Sequence, residues 1–207
     1  MMNAKTDSTV AARAFPVTPL AAWVLPASGL RRALVGVGLS LGFAALTVLG
    51  ANIEIRIEPV PITLQTLFVL LAGGAIGRGW GCLSQLLYVG LGVAGLPVFA
   101  GGASGFAVLA GPTGGYLISF LVAPFVIGTM LRRSNRIGWQ VLSFVTGKVV
   151  ILALGVAHLT IFYTHDLGQA LAVGVLPFLP GAVFKVAAAV SIHRSSQALV
   201  RHHRSRA

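Results

Sequence analysis

Long apolar runs separated by short polar connections are the feature that most constrains this chain. Hydrophobic residues make up 56% of its 207 residues and charged residues only 9%, whereas soluble domains carry about 25% charged residues. So few charges cannot cover a water-exposed surface of this size. The mean hydropathy of +0.90 agrees, and we conclude that the chain is solvated mainly by lipid. Its length allows one membrane domain and leaves no separate soluble catalytic domain.

Six segments have the composition of membrane-spanning helices, which need about 20 mostly apolar residues. They are residues 33–51, 62–76, 80–96, 115–131, 137–159 and 180–198. The second and third are short and are separated by Gly77-Arg78-Gly79, so they predict a helical hairpin. Residues 167–176 predict a short interfacial helix before the last span. We therefore expect an all-α integral membrane protein with six transmembrane helices.

The ends of the chain differ from this apolar region. Residues 15–30 are apolar enough to resemble the core of a signal peptide, but Pro16, Pro19 and Pro26 interrupt the run. We expect residues 1–29 to form a cytoplasmic or interfacial tail, residues 30–199 to form the membrane domain, and residues 200–207 to form a basic cytoplasmic tail.

The basic residues are distributed unequally between the two sides of the predicted bundle. With six spans and an internal amino terminus, twelve of the 15 Lys and Arg residues fall on the inner side and only Arg56 on the outer side. This asymmetry predicts that both termini are cytoplasmic. The net charge of +11 comes from short clusters between apolar runs, so we expect a lipid bilayer and no nucleic acid as a partner.

Two lysines lie inside predicted spans, Lys148 near the middle of the fifth and Lys185 near the outer end of the sixth. An ammonium group in hydrocarbon is costly and normally faces a cavity or a partner. The predicted spans contain no Asp or Glu, so a partner must be a backbone carbonyl, water, an anionic ligand or an outer-loop acid: Glu54, Glu58 or Asp166. The position of Lys185 favours contact with a ligand. For Lys148 a snorkelling or carbonyl-bonded structural role is favoured.

The predicted outer loops differ from ordinary polar connections. Residues 53–58 alternate apolar and charged side chains, which is typical of a strand, and Pro59 and Pro61 stiffen the segment that follows. The loop 101–115 is rich in glycine, and irregular backbone near a membrane is tolerated where it lines a cavity. We interpret these loops as a lid over an outward-facing pocket. A mobile structural loop is the alternative.

The first predicted helix carries two tracks of small residues, Gly36/Ser40/Ala44 and Gly38/Gly42. Small residues let helices approach closely in lipid, where van der Waals packing drives association. The tracks predict either packing within the chain or docking of a separate membrane partner.

Motifs for catalysis and for metal or cofactor binding are missing. Gly147-Lys148 lacks the upstream glycine and the following hydroxyl of a phosphate loop. His158 and His165 have no nearby cluster of acids or cysteines, so they are a weak signal for a metal. Cys82, the single cysteine, is expected to be a packing residue. We predict no catalytic residues, no metal and no cofactor.

Four motifs, in order and at characteristic spacing, resemble the BioY family, the biotin-specific substrate-capture (S) components of energy-coupling factor (ECF) transporters. The motifs are EPVPITLQTL at 58–67, GLPVFAGG at 95–102, GPTGGY at 111–116 and PFLPG at 177–181, the last followed by Lys185. The resemblance covers about residues 33–195.

This resemblance implies a six-helix fold in the bacterial inner membrane that binds biotin from outside, beneath the loops. It also implies a transmembrane coupling protein and two ABC-type ATPases as partners, although some organisms lack a dedicated module. The matched motifs imply five ligand-binding residues: Lys185, Gln65, Ser104, Thr113 and Tyr116. The family's small-residue docking motif on the first helix falls on Ser40 and Ala44.

One position departs from the family pattern. Ala182 stands where the family usually has an aspartate, three residues before Lys185. Loss of a charged hydrogen bond to the ligand would weaken binding by roughly 10- to 150-fold, and restoring the acid is expected to tighten binding. This departure leaves open the alternative that the chain is a capture subunit for another vitamin or for a biotin precursor. A small membrane enzyme or a scaffold is a more distant alternative.

Overall fold

The computed structural model describes residues 29–204, with side chains to residue 199, and this part of the chain is nearly all helical. The predicted tails, residues 1–29 and 200–207, therefore lie almost wholly outside the residues whose side chains are described. The helices are α1 (Leu30–Asn52), α2 (Gln65–Ala75), α3 (Gly77–Val93), α4 (Ala107–Ala110), α5 (Gly114–Leu131), α6 (Ile137–Leu159), α7 (Leu167–Gly174) and α8 (Leu179–Arg204).

The short helix α2 is the centre of the bundle. Nearly all of its residues are buried, and it contacts α1, α3, α5, α6 and α8. Eleven residues of α-helix measure only about 16 Å, about half the thickness of the hydrocarbon core. A helix this short is stable at membrane depth because neighbouring helices surround it.

Close packing around α2 depends on glycine. A Cβ atom on Gly73 would lie 2.8 Å from the Cα of Pro124 on α5, so only glycine permits this approach of the two helices. The junction between α2 and α3 also needs glycine, because Gly77 has a φ of 80°. The reversal therefore occurs at residues 76–77, one residue before the predicted Gly77-Arg78-Gly79 turn.

A small antiparallel hairpin precedes α2. Strand β1 (Glu54–Ile55) pairs with β2 (Ile62–Thr63), and Glu54 lies opposite Thr63. The alternation at 53–58 correctly indicated a strand. The second predicted helix, which was expected to begin at residue 62, begins instead at Gln65, because residues 62–63 pair with β1.

Four helical stretches of the described chain are long and apolar enough to cross a membrane: Leu30–Asn52, Gly114–Leu131, Ile137–Thr164 and Leu167–Leu199. They correspond to the first, fourth, fifth and sixth predicted spans. The second and third predicted spans form α2 and α3, which are shorter, with 11 and 17 residues. The predicted interfacial segment forms α7, whose first turn is capped by the Asp166 carboxylate, which accepts from Gln169 N at 2.6 Å.

Candidate binding cavity

A cavity of about 220 Å³ lies beneath the loops, between the first turns of α2 and α5, the second turn of α8 and the middle of α6. One water molecule needs about 10–15 Å³ of such space, so the cavity is large enough for a small organic molecule. Its walls are mainly apolar and aromatic, and both intramembrane lysines line it. None of the described residues that line it is acidic, so this lining is electropositive.

Lys185 reaches the cavity from the second turn of α8. Its side chain is buried, with 6% exposed, and Nζ donates to the backbone oxygen of Thr63 at 2.5 Å. This bond connects α8 to the end of β2. Of the acids that the sequence offered as partners, Glu54 pairs with Arg56 at 2.8 Å and Asp166 caps α7. The partner of Lys185 is therefore a backbone carbonyl.

Gln65 lines the cavity at the start of α2. Thr63 Oγ1 donates to Gln65 Oε1 at 2.9 Å, and Gln65 Nε2 donates to the hydroxyl of Tyr88 on α3. Because neighbours on both sides hold the amide, its orientation is set before a ligand enters. The adjacent Thr66 also lines the cavity, and its buried hydroxyl has no hydrogen-bond partner among the described residues.

Thr113 and Tyr116 line the cavity at the start of α5. The Tyr116 hydroxyl donates to the backbone oxygen of Gly174 at 2.7 Å, and its ring stacks on Phe178 with centroids 6.0 Å apart. The hydroxyl of Tyr116 thus fixes the end of α7, while its ring forms part of the wall. Ser104, the fifth predicted ligand-binding residue, is exposed and does not line the cavity.

The loop between α3 and α4 covers the cavity and is anchored by Phe99. This side chain is only 3% exposed, lines the cavity and meets the Tyr88 ring edge-on at 5.6 Å. Gly101 and Gly102 follow with positive φ angles of 67° and 73°, so the chain turns tightly after the anchor. The predicted lid is therefore built around a buried aromatic side chain.

Lys148 is placed differently from its predicted structural role. It lines the same cavity as Lys185 and is only 5% exposed, and no hydrogen bond joins it to another described residue. Sequence reasoning missed Lys148 and Thr66 as lining residues. The signals that could have found them are the lone charge of Lys148 in an otherwise uncharged apolar span, and the adjacency of Thr66 to Gln65.

Ser40 and Ala44, the predicted docking residues, are buried within the chain. Ser40 Oγ donates to the backbone oxygen of Trp80 on α3 at 3.0 Å. This differs from the expectation of a docking face, because a partner could reach these side chains only by displacing α3. The other small-residue track, Gly38 and Gly42, is exposed and has open space at both Cβ positions.

Ala182 also lies outside the cavity. It lines an apolar groove of about 580 Å³ between α6 and α8. The groove faces the lipid side of the bundle, because Val149 and Val183 on its rim are 55% and 72% exposed. Lys148 and Leu152 line both the groove and the cavity, so they separate the two spaces.

Comparison with known proteins identifies the family. The family model described as the BioY family matches residues 26–202. The chain belongs to the BioY family. This assignment confirms the resemblance of the four motifs, and it covers both the cavity and every described helix that contributes to it.

Relatives of this chain in the BioY family are named as transporters. The chain is 44% identical to the biotin transporter BioY of Thermotoga maritima, and the match covers 78% of this chain and 93% of the relative. It is 35% identical to the biotin transporter BioY of Rhodobacter capsulatus over 76% of this chain and 84% of the relative.

A solved structure shares the fold. The crystal structure of the S-component for biotin from an ECF-type ABC transporter superposes with a TM-score of 0.76. That superposition covers 83% of this chain and 95% of the other, with 29% sequence identity. Together with its four long apolar helices, this makes the chain a multi-pass membrane protein with the S-component fold of a transporter rather than an enzyme.

Proposed function

We propose that this chain is the biotin-capture subunit of an ECF-type vitamin uptake transporter. The observation that carries the proposal is the loop-covered cavity with apolar walls and two lysines, in a chain whose relatives are named biotin transporters. The arrangement binds and encloses a small molecule and offers no catalytic group.

The chemistry of the cavity suits biotin. Biotin combines an apolar thioether ring and aliphatic chain with two polar ends, a ureido group and a carboxylate. Phe99, Phe120 and Phe178 supply apolar surface around the cavity. Gln65 and Thr66 supply polar groups suited to the ureido end, and the lysines supply positive charge suited to the carboxylate.

We propose that the carrier has six spans with both termini in the cytoplasm of a bacterial cell, and that it lies in the inner membrane. The loops around Phe99 would open to admit biotin from outside and then close over it. A coupling protein with two ABC-type ATPases would reorient the subunit so that biotin leaves on the inner side.

The exposed track of α1 supports a proposal for docking. Helix α1 is the least buried of the four long apolar helices, and Gly38 and Gly42 are open at its surface. Small residues on an exposed transmembrane helix allow close approach of another helix. We propose that the coupling protein contacts this track, while Ser40 and Ala44 hold α1 against α3.

Biotin titration of the purified chain in lipid nanodiscs tests the proposed ligand. We expect saturable binding with a Kd in the micromolar range or tighter, and no competition by thiamine or riboflavin. Phe184→Met is the matched control for variants of Lys185, because Phe184 is its neighbour on α8 and is exposed to lipid. Absence of saturable biotin binding would contradict the proposal.

A capture subunit for a biotin precursor is the alternative that the sequence left open at Ala182, but Ala182 lies outside the cavity and so gives this alternative no structural support. Dethiobiotin, which lacks the sulfur, distinguishes the two in the same titration. Tighter binding of dethiobiotin than of biotin would support the precursor, and the reverse order would support biotin.

A further inference from the structure

Lys148 is a buried lysine to which no other described residue is hydrogen-bonded. It is 5% exposed, and neither an acid nor a carbonyl among the described residues bonds to it. Burying an unpaired charge at membrane depth is costly. A position that carries this cost without a partner within the chain is expected to obtain one from a ligand.

A structural role for Lys148 has no support in the geometry. The residue lies eleven positions from both Ile137 and Leu159, the ends of α6, which is about 16 Å of helix in each direction. A lysine side chain is too short to reach the membrane surface from there, so snorkelling is excluded. The alternative, bonding to a free backbone carbonyl, is what Lys185 does and Lys148 does not.

The surroundings of Lys148 add to the positive potential. Lys185 lines the same cavity and already donates to Thr63 O. The first turns of α2 and α5 also meet at the cavity through Gln65 and Thr113, and helix amino termini carry partial positive charge. The lining supplies no acid to offset these charges. A neutral guest would add no negative charge to offset them.

We infer that Lys148 binds the carboxylate of the ligand and makes the cavity selective for small molecules that carry a free carboxylate. This inference rests on the proposed function, because it assigns one end of the captured molecule. It orients the guest with its carboxylate toward the middle of the membrane, beside the Lys148–Leu152 partition, and its other polar end toward the amide of Gln65.

Paired titrations with biotin and biotinamide test the inference. Biotinamide has nearly the same shape as biotin, but its carboxylate is replaced by a neutral amide. We expect the wild-type chain to prefer biotin by roughly 10- to 150-fold, the range of a charged hydrogen bond. Lys148→Met should weaken biotin binding by about this factor, leave biotinamide binding nearly unchanged, and so abolish the preference.

Three controls separate a ligand-binding role from a structural one. Val149→Met alters the next residue of α6, which is exposed to lipid in the groove, and should leave both affinities unchanged. In the absence of ligand, Lys148→Met should be at least as thermostable as the wild type, because the variant removes a buried unpaired charge. Lys148→Arg, which keeps the charge, should retain part of the preference.

The outcomes are distinguishable. Equal weakening of both ligands by Lys148→Met, no weakening of either, or a loss of thermal stability in the ligand-free variant would overturn the role of Lys148 while leaving biotin capture intact. A wild-type chain that binds biotin and biotinamide equally would also overturn it. Failure of the wild-type chain to bind either molecule would overturn the proposed function together with this inference.

Discussion

Phe99 gives the sharpest test of the lid, because one side chain joins the covering loop to the core. Its ring is 3% exposed, lies edge-on to Tyr88 at 5.6 Å and lines the cavity. The ring also occupies the space beside Gly92, where a Cβ would lie 2.1 Å from the Phe99 ring. Phe99→Ala therefore removes the contacts that hold the loop down over a bound molecule.

The size of the effect follows from burial. Replacing a fully buried phenylalanine by alanine typically costs about 3–5 kcal/mol. If the whole cost fell on the closed lid, biotin affinity would drop by roughly 150- to 5,000-fold. A loop relaxes more easily than a helix, and part of the cost also falls on the ligand-free state. We therefore expect a drop of about 10- to 100-fold, mainly as faster dissociation.

The assay is a chase experiment. Labelled biotin is bound to the chain in nanodiscs, excess unlabelled biotin is added, and the dissociation rate is measured. Leu96→Ala is the matched control, because Leu96 lies in the same loop and is 45% exposed. Phe99→Leu keeps an apolar anchor and should dissociate at an intermediate rate. The lid interpretation is refuted if Phe99→Ala releases biotin no faster than the wild type or Leu96→Ala.

Three further variants follow from the site. Lys185→Met removes a charged donor from the cavity together with its hydrogen bond to Thr63 O. Biotin affinity measured by titration should therefore fall by roughly 10- to 150-fold. An unchanged affinity would exclude Lys185 from the binding site. Tyr116→Phe loses the hydrogen bond to Gly174 O but keeps the ring. The melting temperature should therefore fall by a few degrees, while biotin affinity changes less than about 3-fold. A larger loss of affinity would show that the hydroxyl contacts the ligand. For Ala182→Asp, the sequence predicts tighter biotin binding. Residue 182 lines the same groove as Lys148, so we expect the new carboxylate to attract Lys148 and reduce the preference for biotin over biotinamide. An increased preference would favour the sequence-based expectation.

The long helices could be predicted from composition because each is a continuous apolar run of spanning length. The fifth predicted span, 137–159, coincides with α6, and the fourth begins one residue from α5. The start of α2 could not be predicted, since Ile62 and Thr63 join directly onto the apolar run and their pairing with β1 is a contact with another segment of the chain.

The candidate site was only partly predictable. Lys185, Gln65, Thr113 and Tyr116 were found through family motifs, and all four line the cavity. Ser104, from the same stretch of sequence, does not. Its placement depends on how the glycine-rich loop folds over Phe99, and positive φ angles at several glycines allow many paths.

Sequence alone determined that this chain is embedded in lipid, which residues form its long helices, and which family it belongs to. Those properties depend on total apolarity, segment length and local motifs, each of which is a property of the linear chain. Only the tertiary structure decided which side of each helix faces inward. In a soluble helix the polar face marks the outside, but in a bilayer the outer and inner faces are both apolar. For that reason Ser40 and Ala44 could not be separated in advance from the exposed Gly38 and Gly42, and the cavity-facing position of Lys148 emerged only when α6 was packed against its neighbours.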